Sequence, residues 1–478
     1  MEENLRKSKS DNLLEGLTHK DIKKFNKYII NYLGGSGDNI LKYWEYRLAQ
    51  KKLSGSFLLD DSKEKFSRKI VSDFVKILEK FYALKGFEKD SLGEKGYLIR
   101  ELRDRQLYKL FNSLLDDTKQ YHKSNVRKGY MNYINYLRLN LEEYFLYNSQ
   151  NEDSSMFQAS MNISSVSEII HIQSILFEHI NMKLYCLDCK LEKDELNNIK
   201  SIVDYIERKS ELFQKEHQGV YVLYLVYRMI ENINDESKAH DALDYINKNF
   251  DFLTVNFLQF SYEVIIRFYI IQVNSGDSKS LSDLFNIIKE IERKELFSKI
   301  QHIQPLNFLT GISVALSFND VDFAESFLHK YNCKMNAEYR KNVTTICQAM
   351  LEFAKGRFTH ARNLLMKDKT KNISMYIFSK LTLLKSLYEI NELRVVLPLI
   401  DTVKHYLNRH IVAKSPYRDS IFAFLNSLNT LCTSKRKNGR GADKLLKKLN
   451  ESKVFFQKRW IIEKANELKE LANSNSKQ

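Results

Sequence analysis

One short pattern recurs three times toward the C-terminal end of this chain. It reads Asn319-x-Val321-x-x-Ala324-x-x-Phe327-Leu328, then Gly356-x-Phe358-x-x-Ala361-x-x-Leu364-Leu365, then Asn391-x-Leu393-x-x-Val396-x-x-Leu399-Ile400. Positions 324, 361 and 396 lie 37 and 35 residues apart. Each copy is a turn former followed by apolar residues at three- and four-residue spacing, which is a turn opening an amphipathic helix. A helix pair of this length cannot bury its apolar face alone, so such units stack on their neighbours and present an extended surface. The repeat points to a solenoid and to binding as the broad class of work. It names no ligand.

Composition agrees with helix nearly throughout. An average chain of 478 residues would carry about 33 Gly and about 24 Pro. This one has 15 and 3, so few residues are present that break a helix. The 27 Tyr and 29 Phe suit helix–helix seams, and Tyr can keep its hydroxyl in water. The net charge of +15 suits an anionic partner such as nucleic acid, a membrane surface or an acidic protein. Acidic residues interleave with basic ones along most of the chain, which favours Lys-rich solvated helix faces over one dedicated patch. The cysteines, Cys186, Cys189, Cys333, Cys347 and Cys432, form a sparse, odd set. They read as thiols in a reducing cytosol rather than as a disulfide framework. The opening MEENLRKSKSDNLLEG has no apolar core of a secretory signal. No run of ~18 apolar residues occurs, and the most apolar stretch, 264–273, is broken by Arg267. A cytoplasmic protein without membrane insertion is expected.

Along the chain, residues 1–16 read as a disordered N-terminus and 17–150 as a helical bundle. Thr18 and Asp21 cap a helix to about Leu33, with Ile22, Phe25, Ile29 and Ile30 on one side. Gly34-Gly35-Ser36-Gly37 stops it, and Asp38 caps a second helix carrying Leu41, Trp44 and Leu48. A third helix over about 62–84 aligns Phe66, Ile70, Phe74, Ile77, Leu78 and Phe81 as one buried stripe. Two long helical patterns follow, at about 90–118 and 122–149, and the polar stretch 148–155 is the best boundary. Residues 160–435 read as helical hairpins. Leu284/Ile287/Ile288 and Ala242/Tyr245/Ile246 extend the series backwards, giving at least five units between about 220 and 410. Pro305 and Pro416 sit where helices begin, whereas Pro398 inside a helical pattern predicts a kink or a late start. A last long helix, 441–472, runs through Leu445, Leu449, Phe455, Phe456, Trp460, Ile461 and Leu468 and caps the open end.

The three repeats resemble tetratricopeptide repeats. Their turn Gly or Asn, the apolar residue two on and the small residue five on match that signature at Ala324 and Ala361, while Val396 departs from it. Most of the chain also resembles a large family of all-helical proteins from Bacteroidota. That resemblance is carried by Leu17-Thr18-His19-Lys20-Asp21-Ile22-Lys23-Lys24-Phe25, by Leu78-Glu79-Lys80-Phe81, by Lys183-Leu184 with Cys189, and by Lys458-Arg459-Trp460-Ile461-Ile462-Glu463-Lys464. It implies an all-helical architecture and no particular activity.

Chemistry-bearing motifs are few. Cys186-x-x-Cys189 is half a zinc site and has no second pair. His171 and His179 are eight apart, too far for a paired-His motif, and nothing reads as the strand a redox CxxC adjoins. No nucleophile elbow, zincin, P-loop or dinucleotide fingerprint occurs. Asp116-Asp117 and Glu142-Glu143 are neighbours that point about 100° apart on a helix, so neither is a dyad. No catalytic residue, metal or cofactor is expected. Lys435, Arg436, Lys437 and Arg440 form the densest basic run, read either as a phosphate-contacting loop or as a solvated connection. The 38–50 helix offers Lys42 and Arg47 to a helix-turn-helix reading, diluted by Trp44, Glu45 and Tyr46.

In the tetratricopeptide register, first helices start near Pro305, Asn342 and Ile377. Groove positions are then Leu306, Val343 and Phe378, next Leu309, Ile346 and Leu381, and last Ser313, Met350 and Lys385. They are mostly apolar and lack the Lys, Asn and Arg set that grips a terminal carboxylate. Such a face is either filled by the chain's own terminal helices or open to a partner's amphipathic helix. The expectation is an all-α, non-enzymatic protein-interaction scaffold or adaptor, with an N-terminal bundle followed by a tetratricopeptide-like solenoid. Its partner is another protein, offering a helical or extended acidic segment. The alternative is a nucleic-acid-binding or transcription-regulating protein with a DNA-binding bundle and a peptide-sensing solenoid.

Overall fold

Every regular element among the described residues is helical. The computed structural model describes residues 8–34, 39–54, 57, 66–124, 129–188, 199–366, 370, 372–411, 416–452, 455 and 457–475. Two compact units divide the chain: residues 1–124 with 134–163, and residues 125–133 with 164–478.

The first unit opens with α1 (Lys9–Glu15), α2 (His19–Tyr32), α3 (Asn39–Ser54) and α4 (Arg68–Phe87). Residues 9–15 are therefore helical, against the expected disorder of 1–16. Two consecutive capping boxes explain the start of the chain. Ser8 and Asp11 satisfy one another's backbone N–H groups, and Thr18 and Asp21 do the same one helix later. Leu14, Phe25, Ile29, Trp44, Phe74, Leu78 and Phe81 fill the seam between these helices. The stripe expected on the third helix lies there, with Phe66 and Ile70 at its rim. Asp11 also pairs with Arg47 of α3 at 2.6 Å, deep in the unit.

The unit continues with α5 (Ser91–Asp104) and α6 (Tyr108–Ser124), then most of α7 (Tyr130–Gln150) and the first part of α8 (Asp153–Asp188). The single pattern read at 90–118 is two helices. Gln106 takes a left-handed φ of 58°, and the Leu107 N–H donates to Leu102 O at 2.8 Å, closing α5 where no glycine marks a turn. The polar stretch near 150 interrupts the chain only at Asn151, φ 56°. Helix α8 resumes at once, and the two units divide within it.

The second unit holds α9 (Ile199–Arg208), α10 (Ser210–Glu216), α11 (Gln218–Glu231), α12 (Glu236–Lys248), α13 (Val255–Ser275), α14 (Lys279–Arg293) and α15 (Leu296–Lys299). It goes on through α16 (Pro305–Ser317), α17 (Val321–Tyr331), α18 (Ala337–Ala354), α19 (Phe358–Leu365), α20 (Ile373–Glu389) and α21 (Leu393–His410). It ends with α22 (Pro416–Arg436), α23 (Ala442–Glu451) and α24 (Lys458–Asn475). Helices pair as α11/α12, α13/α14, α16/α17, α18/α19 and α20/α21. The three repeated turns share one geometry. Asn319, Gly356 and Asn391 are left-handed, at φ 58°, 75° and 64°. The next N–H in each case reaches back five residues, to Ala315 O, Glu352 O and Leu387 O. This bond satisfies a carbonyl at the helix end, and Gly or Asn is what the left-handed position takes most cheaply.

Three expectations are corrected here. Helices α18 and α20 start at Ala337 and Ile373, a turn earlier than read, because Asn336 and Asn372 cap them. Helix α21 starts at Leu393 and runs through Pro398, so of the two outcomes expected there the late start is excluded. The long terminal helix is two helices, with Ser452 in an extended conformation closing α23.

Candidate interaction surfaces

The expected groove is occupied by the chain itself. Leu309, Ile346, Leu381, Ser313, Met350 and Lys385 are all buried, none more than 9% exposed, and Val343 and Phe378 are buried with them. Helix α16 packs on both α18 and α20, and α13 packs on α22, so inner helices meet one another. Helix α24 closes the remaining space. The Trp460 ring lies 5.5 Å from Tyr388 and 6.3 Å from Phe353, and its Nε1 donates to Glu389 Oε1 at 3.0 Å. Lys464 pairs with the same carboxylate at 3.1 Å. Lys385 Nζ sits 4.4 Å from the Phe353 ring centroid and donates to Gln457 Oε1 at 2.9 Å. Burial pulls this amine down to about 8, against a smaller opposing pull from Glu389. An open groove for a partner at these residues is thus corrected to a filled interior.

The basic run is also divided. Lys435 and Arg436 belong to the last turn of α22. Lys435 Nζ donates to Tyr388 O at 3.1 Å and stands 4.3 Å over that ring, and Arg436 donates to Leu393 O at 3.2 Å. Both serve the end of α20 and the start of α21. Arg436, Lys437 and Arg440 are exposed and Lys435 is half-buried, so Lys435 is the least available member of the expected phosphate-contacting set. Arg47 of the helix-turn-helix reading is fully buried, donating to Asp11 and to Phe57 O, and cannot reach a base.

The first unit carries a surface that sequence reasoning missed. Tyr28 on α2, Lys80, Ala83, Leu84 and Phe87 on α4, and Tyr97 on α5 line a shallow cleft of about 600 Å³. Leu84, Phe87 and Tyr97 are 36–51% exposed, as is Tyr32 beside Lys80. Phe87 and Tyr97 face one another at 5.6 Å. Lys80 Nζ donates to Tyr32 Oη at 2.9 Å, and Arg138 stands 4.7 Å over the Tyr97 ring. The signal was available: the α4 stripe continues past Phe81 to Leu84 and Phe87, beyond the residues its neighbours cover.

A second cleft, about 570 Å³, lies between the end of α13, α22 and α23. Its lining is mainly Asn, Ser and Thr, and its hydroxyls turn back on their own helix, Ser427 to Ala423 O and Thr430 to Asn426 O.

Among the described residues no His, Cys, Asp and Glu side chains converge as a metal site, and no helix is long and apolar enough to cross a membrane. The Cys186 and Cys189 side chains, the turn residues 35–38 and Phe456 lie outside what is described. Cys347 and Cys432 are buried and Cys333 is exposed. Burial pushes the Cys432 thiol up to about 11. Comparison of the chain with known protein families, with curated proteins and with solved structures returns no match. The two resemblances read from the sequence gain nothing from it, and the functional reading rests on geometry.

Proposed function

We propose that this chain is a non-enzymatic, cytoplasmic adaptor that binds another protein through the outer surface of its helices. In this reading the first unit is a helical bundle and the hairpins of the second form a tetratricopeptide-like solenoid. The observation that carries it is the cluster of exposed Tyr32, Leu84, Phe87 and Tyr97. Large apolar side chains gathered on a charged surface mark a site that a partner covers. The inner hairpin faces, being filled, leave the outside for binding.

The test is affinity purification of the tagged chain from its native cells, with and without nuclease, read by mass spectrometry and nucleic-acid staining. A protein partner that survives nuclease supports the adaptor. Recovery of nucleic acid alone, with binding that falls steeply as salt rises, replaces it with the nucleic-acid reading.

A further inference from the structure

We propose that the cleft between α2, α4 and α5 is the docking site for an acidic amphipathic helix of the partner protein. This rests on the adaptor reading and specifies its partner. Three observations carry it: the shape of the cleft, the chemistry of its walls, and the charge left unpaired around it.

The shape suits a helix. Lys80, Ala83, Leu84 and Phe87 occupy one face of α4 over about 10 Å, roughly two turns. Ala83, exposed, is the small residue among larger ones. Leu84, Phe87, Tyr97 and Tyr28 rise around it and leave a dent that one Leu or Phe anchor can enter. Helices dock in such grooves through anchors repeated at three- and four-residue spacing.

The charge specifies an acidic occupant. The carboxylates on α2 and α4 are engaged, Asp21 with Lys85, Asp73 with Lys76 and Glu79 with Lys9; on α5 Glu101 pairs with Arg105 and Asp104 with Arg103, while Glu94 is exposed and meets no cation among the described residues. Glu88, at the end of α4, pairs with Lys24 at 3.7 Å. Lys20, Lys23, Lys27, Lys69 and Lys80 on the same two helices are exposed and meet no carboxylate among the described residues. Arg138, at the Tyr97 end, meets none either. The ammonium of Lys80 and the guanidinium of Arg138 therefore stand at two edges of an aromatic cleft with their charge uncompensated. Glu or Asp flanking the partner's apolar stripe would pair with them, which raises the rate of encounter and excludes basic helices.

The experiment uses the full chain and two synthetic probes. One is an amphipathic helix with Leu and Phe anchors and Glu on its flanks. The other is its twin with Lys in place of Glu. Binding is followed by fluorescence anisotropy, with vesicles of anionic lipid as a third probe. The Glu helix is expected to bind at least tenfold more tightly than the Lys twin. Lys80→Glu should shrink that preference several-fold. Ala83→Arg adds positive charge but fills the dent, so it should abolish binding while circular dichroism and melting stay unchanged. Failure of the Glu helix to bind, equal binding of the twins, or binding indifferent to Ala83→Arg overturns the proposal. So does Ala83-dependent binding of the vesicles without binding of the Glu helix. If a native partner is recovered and Ala83→Arg leaves it bound, the adaptor stands and this docking site falls.

Discussion

Arg47 is the most demanding side chain to bury in the first unit, and Asp11 is what makes its burial tolerable. The guanidinium is fully enclosed, donating to Asp11, to Tyr43 Oη at 3.0 Å and to Phe57 O. Neutralising the carboxylate leaves a cation in a dry seam. Asp11→Asn is expected to destabilise the first unit by about 3–5 kcal/mol. Adding Arg47→Met should restore part of the loss, because the charge is then gone. The two Trp make this measurable: Trp44 lies in one unit and Trp460 in the other. Denaturant melts followed at Trp44 should shift with Asp11→Asn, and a double variant no better than the single would contradict the argument. Lys385 has the opposite character. Its folded value of about 8 lies below the unfolded value near 10.4, so the unfolded chain holds the proton more tightly. The penalty is fully present below about pH 8 and is relieved as pH rises toward about 10.4. Lys385→Met should therefore stabilise the second unit by about 1–3 kcal/mol at pH 7, a gain that closes by about pH 10. A constant difference across that range would show that Lys385 is not paying for burial.

The helical turns show how far the sequence could be read. Asn319, Gly356 and Asn391 were visible because only a few residue types adopt the left-handed conformation without cost, and these recur at repeat spacing. Five hairpins between about 220 and 410 followed from them. Gln106, Glu295 and Gln457 adopt the same conformation with no such signature, at φ 58°, 55° and 58°. For that reason α5 and α6 read as one helix, whereas α23 ends at the extended Ser452. The groove failed for another cause. Periodicity identifies an apolar face but does not say what covers it, and Trp460 comes from more than 70 residues further along the chain than Lys385. The exposed cleft was missed for the converse reason: Leu84 and Phe87 prolong an apolar stripe, and only the structure shows that no helix among the described residues covers them. Two glycines test the turn argument. A Cβ at Gly356 meets nothing within 4 Å, so Gly356→Ala carries only the backbone cost of φ 75°, about 1 kcal/mol. A Cβ at Gly439, φ 86°, would collide with Leu468 O and lie 2.8 Å from Ala472 Cβ on α24. Gly439→Ala should therefore cost clearly more in melts followed at Trp460, and equal losses would contradict this reading.

At the scale of the molecule, an interior that satisfies itself stands apart from a surface that does not. The second unit spends its inner helix faces on its own packing, with Lys385 and Trp460 at the closure. The first leaves Tyr32, Leu84, Phe87 and Tyr97 exposed beside Lys80, which meets no carboxylate among the described residues. Interior and surface are assigned opposite roles by burial and by charge pairing, and hydrogen exchange reads both together. The most direct test is hydrogen–deuterium exchange on the full chain, free and in complex with the partner recovered from its cells. Slowed exchange is expected in residues 20–32 and 76–98, with α16, α18, α20 and α24 unchanged. Protection centred on α16, α18 and α20, with α24 released to exchange faster, would contradict the account and return binding to the inner face of the hairpins.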